Sequence, residues 1–196
     1  YGGILLSANN EINGITFGGV GRNTDLEYIE VFQNKDDCSE YFGGAVYLKH
    51  LVCVAASDDN LDWDEGYRGK IQYALIMQGD NGGADKSDKG AEMDSGISPD
   101  GAQPVAIPTV YNVTMVGLGG DVSASYTDKA KNTAQHFRDN SGGRWYNSAF
   151  LDFGGNAACI EGANTGGSPT GAATSGERAI TDDRRIQELL IRAKTI

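Results

Sequence analysis

One internal repeat constrains this chain more than any other feature. The ten residues Tyr28–Asp37 return 22 positions later as His50–Asp59. Ile29 matches Leu51, Val31 matches Cys53, and Asp36-Asp37 match Asp58-Asp59. The register carries on: Glu40 matches Asp62, Tyr41 matches Trp63, and Gly44 matches Gly66. A second echo has an offset of 25, where Phe17-Gly18-Gly19 returns as Phe42-Gly43-Gly44. Self-similarity of this length marks an architecture in which each unit buries its apolar face only against its neighbours.

The unit holds short β-branched or aromatic runs separated by Gly, Asn and Asp turns. The segments 71–79, 110–117 and 145–153 repeat that strand character without the same loop. A leucine-rich repeat has a similar period but demands a Leu-x-x-Leu-x-Leu signature, which is absent. A β-sandwich would repeat strands without repeating loop residues. The expected fold is therefore all-β: a right-handed parallel β-helix, with Ile29 over Leu51 and Val31 over Cys53 inside the tube. The 28 glycines against 4 prolines suit such a solenoid, because glycine supplies positive φ at corners.

Residues 1–160 read as coils, interrupted by two polar insertions at 80–103 and 119–143. The second contains a stretch, 127–138, expected to form a short helix. Residues 161–177, rich in Gly, Ala, Thr and Ser, read as a flexible linker. Thr181-Asp182-Asp183 reads as an N-cap, and Ile186, Leu189 and Leu190 give an amphipathic helix over 178–196 that caps the stack or docks on a partner. The chain opens with Tyr1-Gly2-Gly3 and an apolar Ile4-Leu5-Leu6. That start reads as a mature or truncated piece, with earlier coils or another chain expected to cover the edge at Tyr1.

The balance of 16 basic to 27 acidic residues gives a net charge of −11. It argues against nucleic acid and against anionic lipid as partners. No apolar run approaches the roughly 18 residues of a membrane-spanning helix. Cys38, Cys53 and Cys159 fit no zinc spacing and permit at most one disulfide. Cys53, inside Leu51-Val52-Cys53-Val54, reads as a buried thiol.

The repeat also stacks charge. Asp36, Asp37 and Glu40 on one coil lie over Asp58, Asp59 and Asp62 on the next, with Asp64 following. At an inter-strand spacing of about 4.8 Å such carboxylates need neutralising. Calcium is one candidate, since hard cations take clustered oxygens. Pairing with Arg68 or Lys70, or turn N–H groups, is the plainer alternative. Asp58-x-Asn60-x-Asp62-x-Asp64 alternates oxygen ligands but lacks the glycine and final glutamate of an EF-hand. Catalysis by Asp58, Asp59 and Arg68 is the competing reading, since glycoside hydrolysis uses paired carboxylates. Asn23-Thr24-Asp25, Asp58-Asp59 and Arg68-x-Lys70 resemble in order the motifs of polygalacturonases, without the Gly-His-Gly that should lie between. His50 reads as flanking a strand. Tyr41, Phe42, Trp63, Tyr67, Trp145 and Tyr146 read as coil interior in preference to a sugar platform.

The stretch Asn13–Gly21, the runs Tyr28–Val31 and Glu40–Gly44, and Asp58–Trp63 with Gly66–Gln72 together resemble a family of bacterial secreted or lipoprotein-type β-helix proteins. Gly90–Asp94 and Pro108–Thr114 fit the same pattern, and the resemblance fades beyond Gly154. It implies a surface-exposed parallel β-helix of the bacterial exterior or outer membrane, with further coils before this segment. The resulting expectation is an exported, non-enzymatic structural or adhesive protein, stabilised by calcium, with other protein chains and surface glycans as partners. A polysaccharide-degrading enzyme is the alternative.

Overall fold

The computed structural model describes residue 7, residues 12–80, 87–96, 102–119 and 132–160, and the backbone of 189–192. Two parallel sheets face each other. One runs through β1 (Ile15–Gly18), β3 (Ser39–Phe42), β5 (Leu61–Asp64), β7 (Ala91–Met93), β9 (His136–Phe137) and β12 (Cys159–Ile160). The other runs through β2 (Asp25–Phe32), β4 (Tyr47–Val54), β6 (Lys70–Met77), β8 (Thr109–Val116), β11 (Ser148–Leu151) and β13 (Leu189–Arg192), with β10 (Arg144–Tyr146) also pairing β8. The chain passes back and forth between them, with β10 and β11 together forming one broken rung of the second sheet, so each coil adds one rung to each sheet. This is a parallel β-helix. No helix among the described residues is long and apolar enough to cross a membrane.

The 22-residue register is the physical register. Ile29 pairs with Leu51 and Val31 with Cys53, and Glu40 pairs with Asp62 and Tyr41 with Trp63. The 25-residue echo is not. Phe17 lies beside Tyr41 and Gly18 beside Phe42, an offset of 24. The rings decide it: Phe17 and Tyr41 stack inside the tube at 4.9 Å, whereas Phe42 points outward.

In the long strands the inward residues are spaced three and then two apart: Leu48, Leu51, Cys53, then Ile71, Ala74, Ile76, then Val110, Val113, Met115. Strict alternation would give two and two. The extra residue is in the left-handed region at the same place in every coil: Tyr28 (φ 59°), His50 (56°), Tyr73 (58°), Asn112 (53°) and Asn147 (47°). The pairing skips each of them. Their side chains form a column outside the corner. Tyr28, His50 and Tyr73 stack at 4.5 and 5.0 Å, and Asn147 Nδ2 donates to Asn112 Oδ1 at 2.5 Å. His50 is thus a corner residue within its strand, not a flanking one.

The core is a continuous aliphatic and aromatic column. Trp63, Trp145, Tyr41 and Tyr67 are fully buried, which places these four inside as expected. Tyr146 instead stacks on Tyr111 at 4.9 Å on the outer face. Each fully buried large side chain contributes about 1.5–3 kcal/mol. Cys53 is buried but is not a thiol: it is disulfide-bonded to Cys38, with Cα atoms 5.9 Å apart. The return of the chain after β2 brings Cys38 under β4, a proximity that a 15-residue separation conceals.

Three expectations about the insertions and the C-terminus change. The segment 80–103 contains β7, and 119–143 contains β9, each a rung of the first sheet. Three-residue and two-residue strands are too short to reveal alternation in the sequence. Of the expected 127–138 helix, residues 127–131 lie outside the described residues. His136 and Phe137 are strand, held by pairing with Glu92 and Met93. Of the expected helix over 178–196, Leu189–Arg192 is a strand pairing in parallel with β11. The edge of β11 offers open backbone partners to that run, and a strand uses them where a helix cannot. The remainder of that segment and the linker 161–177 lie outside the described residues.

Candidate functional site: an acidic ladder across the coils

On β3, β5, β7 and β9 the inward positions are Ser39 and Tyr41, Leu61 and Trp63, Ala91 and Met93, and Phe137. The residues between them face outward and stack in register. Glu40 pairs with Asp62, Asp62 with Glu92, and Glu92 with His136. Asp64 lies beside Phe42, at the end of β5. In the bends that lead into these strands, Asp36-Asp37 lie under Asp58-Asp59, which lie under Asp88-Lys89. The backbone records the stacking. Asp37 Oδ1 accepts the N–H of Asp59 at 2.9 Å, and Asp59 Oδ1 accepts that of Lys89 at 2.7 Å. The ladder read from the sequence is therefore assembled: Asp36, Asp37, Glu40, Asp58, Asp59, Asp62 and Asp64 share one side of the first sheet.

The counter-cations are not those expected. Arg68 Nε donates to Val105 O at 2.9 Å, tying down the loop that carries Val105. The structure does not pair it with Asp58 or Asp59; Lys89 is the cation that acts most strongly on both. Lys89 Nζ lies 3.3 Å from Asp59, 3.5 Å from Asp88 and 2.9 Å from Glu92. Arg138 lies 2.9 Å from Glu92 through Nη1 and 2.9 Å from Asp94 through Nε. His136 Nδ1 is 3.7 Å from the same Glu92 oxygen. All of these partners come from the segments read as insertions. A signal for them existed. Ala91-Glu92-Met93-Asp94 repeats Leu61-Asp62-Trp63-Asp64 at an offset of 30, which is the coil period plus an inserted loop.

Burial dominates the electrostatics. It raises Asp37 well above the ordinary carboxylate range, with Asp58 and Asp36 adding to it. It does the same to Asp59 against the pull of Lys89, and to Asp62, where Asp37 and Asp59 add. Glu40 is pushed up to about 7 by burial, and Asp94 to about 8 by burial and then Glu92. Asp58 and Asp64 are raised for the same first reason. Glu92 goes down, to about 2: burial opposes this, but His136, Lys89 and Arg138 together outweigh it. The ladder thus has two halves, one crossed by Lys89 and Arg138 and one of carboxylates facing carboxylates. Among the described residues, three trios bring an oxygen from each member within 4.8 Å of the others: Asp36, Asp37 and Asp58; Asp37, Glu40 and Asp62; and Asp58, Asp59 and Asp88.

Parallel coils and an acidic outer face are what the family comparison meets. The family described as the pectate-lyase-like β-helix domain matches residues 1–187. The chain belongs to this family. Neither the curated proteins nor the solved structures gave a match. For a pectate-lyase-like β-helix the ladder lies on the outer face of one sheet, where side chains from successive coils are brought together from distant parts of the sequence. Such a face can hold a metal, bind a chain of sugars, or serve only to lock coil to coil.

Proposed function

We propose that this chain is an exported, non-enzymatic β-helix that serves as a structural or adhesive element at a bacterial surface or in an extracellular assembly. One observation carries the reading: the ladder's carboxylates are spent on joining coils. Asp37, Asp59 and Asp94 are only 6, 2 and 4% exposed. Asp37 and Asp59 each accept the next coil's backbone N–H, and Glu92 and Asp94 are clamped by Lys89 and Arg138. A carboxylate so engaged is unavailable to a substrate proton. The Cys38–Cys53 disulfide supports export, because such bonds persist in oxidising compartments. The test is turnover on a panel of acidic and neutral polysaccharides, run with and without calcium. Absence of turnover together with binding of the chain to isolated bacterial envelopes is expected; turnover abolished by Glu92→Gln would sink the reading.

A second reading has its own support. Glu92 is held ionised and Asp94 neutral near pH 7, both against Arg138. Carboxyls pushed apart in this way can divide acid and base roles. In that case the acting residues of a polysaccharide-degrading enzyme would be Glu92, Asp94 and Arg138 in place of Asp58, Asp59 and Arg68. Loss of turnover in both Glu92→Gln and Asp94→Asn, with the folded strand signal retained in circular dichroism, would establish it.

A further inference from the structure

We propose that the side chains of Lys89 and Asp59 condense to an amide, a covalent cross-link that joins the coil of β5 to the coil of β7, with Glu92 carrying the protons. This holds whether the outer face is a scaffold or a catalytic surface.

The three groups are already assembled. Lys89 Nζ lies 3.3 Å from Asp59 Oδ2 and 2.9 Å from Glu92 Oε1. All three side chains are shielded from water, with Glu92 the most open at 12%. Lys49 and Glu27, 3.4 Å apart, are far more exposed and lack this shielding. The two oxygens of Asp59 differ in the way an acyl transfer requires. Oδ1 accepts the backbone N–H of Lys89 at 2.7 Å, which polarises the carboxyl carbon and stabilises the charge that attack places on that oxygen. Oδ2 faces Nζ and is the oxygen that leaves. Once the amide has formed, Oδ1 is its carbonyl oxygen and can keep the same hydrogen bond.

The neighbouring carboxyls are less suited as the acyl group. Burial raises Asp59 well above the ordinary range against the pull of Lys89, which favours the neutral acid, the form an amine attacks. Glu92 is held ionised, at about 2, by His136, Lys89 and Arg138, and a carboxylate resists attack. Asp88 Oδ2 lies 3.5 Å from Nζ, but Asp88 directly precedes Lys89, so that amide would close a small ring around one peptide bond.

The step balances without an oxidant or cofactor. Freshly folded chain holds the pair as ammonium and carboxylate. One proton passes from Nζ to Asp59 Oδ2, giving an amine and an acid, and burial favours that neutral pair. The amine attacks Asp59 Cγ and the Nζ–Cγ bond forms. Glu92 takes a proton from Nζ and delivers it to Oδ2. The Cγ–Oδ2 bond breaks, one water leaves, and Glu92 ends as it began. Holding amine and acid in contact replaces the high concentrations that condensation in water would demand.

Intact mass spectrometry tests this on the full chain, kept folded at neutral pH for days and then reduced and denatured. The expected mass is about 18 Da below that of the sequence, one water per chain, and a digest should yield a branched peptide joining Asp59 to Lys89. Chain kept in urea throughout should retain the full mass, and so should Lys89→Arg, which leaves a cation in the site. Glu92→Gln should form the bond at least about a hundredfold more slowly, with its strand signal retained in circular dichroism. A parent chain at the full sequence mass overturns the proposal, whatever the variants do. So does a loss of water that persists in Lys89→Arg or that fragmentation maps to other residues, as a succinimide would. A parent-like rate in Glu92→Gln overturns the part given to Glu92.

Discussion

Lys89 sits over Asp59 twice: its backbone N–H donates to Asp59 Oδ1 at 2.7 Å, and its Nζ lies 3.3 Å from Asp59 Oδ2. Both side chains are buried, at 10 and 3% exposure. Burial alone would lower the lysine's pKa, yet Asp59, Glu92 and Asp88 raise it well above the ordinary value. Lys89→Met keeps the stem and removes the charge, leaving Asp59 buried among anions. Breaking a buried pair from one side costs about 3–5 kcal/mol. Urea unfolding should show a loss of that size, and Lys89→Met/Asp59→Asn should recover most of it.

Asp94 and Glu92 act on the pH dependence of stability with opposed signs, and the other raised carboxylates act in the direction of Asp94. Asp94 is raised from 3.8 to about 8, so the folded chain holds a proton that the unfolded chain has released. Its contribution is full below its ordinary value and is lost as pH climbs through about 8. Glu92 is lowered from 4.5 to about 2, so its contribution is full above 4.5 and is lost as pH falls through about 2. Melting followed by circular dichroism in chelator should therefore be highest near pH 4–5 and fall on both sides. Asp94→Asn should make the alkaline limb shallower, the remainder being due to Glu40 and the other raised carboxylates, and leave the acid limb in place. A melting point that rises from pH 5 to 8 would contradict the assignment.

Cys38 and Cys53 close a loop that runs through β3 and into β4, with a sequence separation of 15. In the chain-entropy picture a loop of that size contributes about 3 kcal/mol. Cys38→Ser/Cys53→Ser should lower the urea midpoint accordingly without changing the strand signal. Dithiothreitol should shift the parent chain by a similar amount and leave the double variant unmoved.

How legible was this molecule in its sequence? Ile29 over Leu51 and Glu40 over Asp62 were legible because the first three coils differ little in length, and like residues recur at like positions. The corner column was not. A tyrosine, a histidine and another tyrosine share no turn signature, and only the backbone places Tyr28, His50 and Tyr73 in the left-handed region together. The short rungs at Ala91–Met93 and His136–Phe137 were hidden because two or three residues cannot display a period. Arg68 looked like the ladder's cation because it is near in sequence, whereas Arg138 reaches Glu92 across 46 positions. Coil stacking rewards proximity along the solenoid axis, and inserted loops break the link between that axis and residue number.

The corner at Gly66 gives a last prediction about why glycine marks these coils. Gly66 has φ +76°, the left-handed region that a Cβ penalises by roughly 1–2 kcal/mol. Space is closed as well: a Cβ there would clash with the carbonyl oxygen and ring of Pro104. The contact cannot relax cheaply, because Pro104 belongs to a loop fixed to this corner through Arg68 Nε on Val105 O and Ile107 N on Tyr67 O. Gly66→Ala therefore adds strain and a backbone clash, for a loss of about 2 kcal/mol or more. Gly19 makes the control. Its φ is +64°, but no atom lies within 4 Å of a Cβ built there. Gly19→Ala should show the conformational cost alone, about 1 kcal/mol. Parallel urea titrations measure the difference between the two, which is the part due to Pro104. Equal losses at both positions would mean that the 102–107 loop moves aside freely.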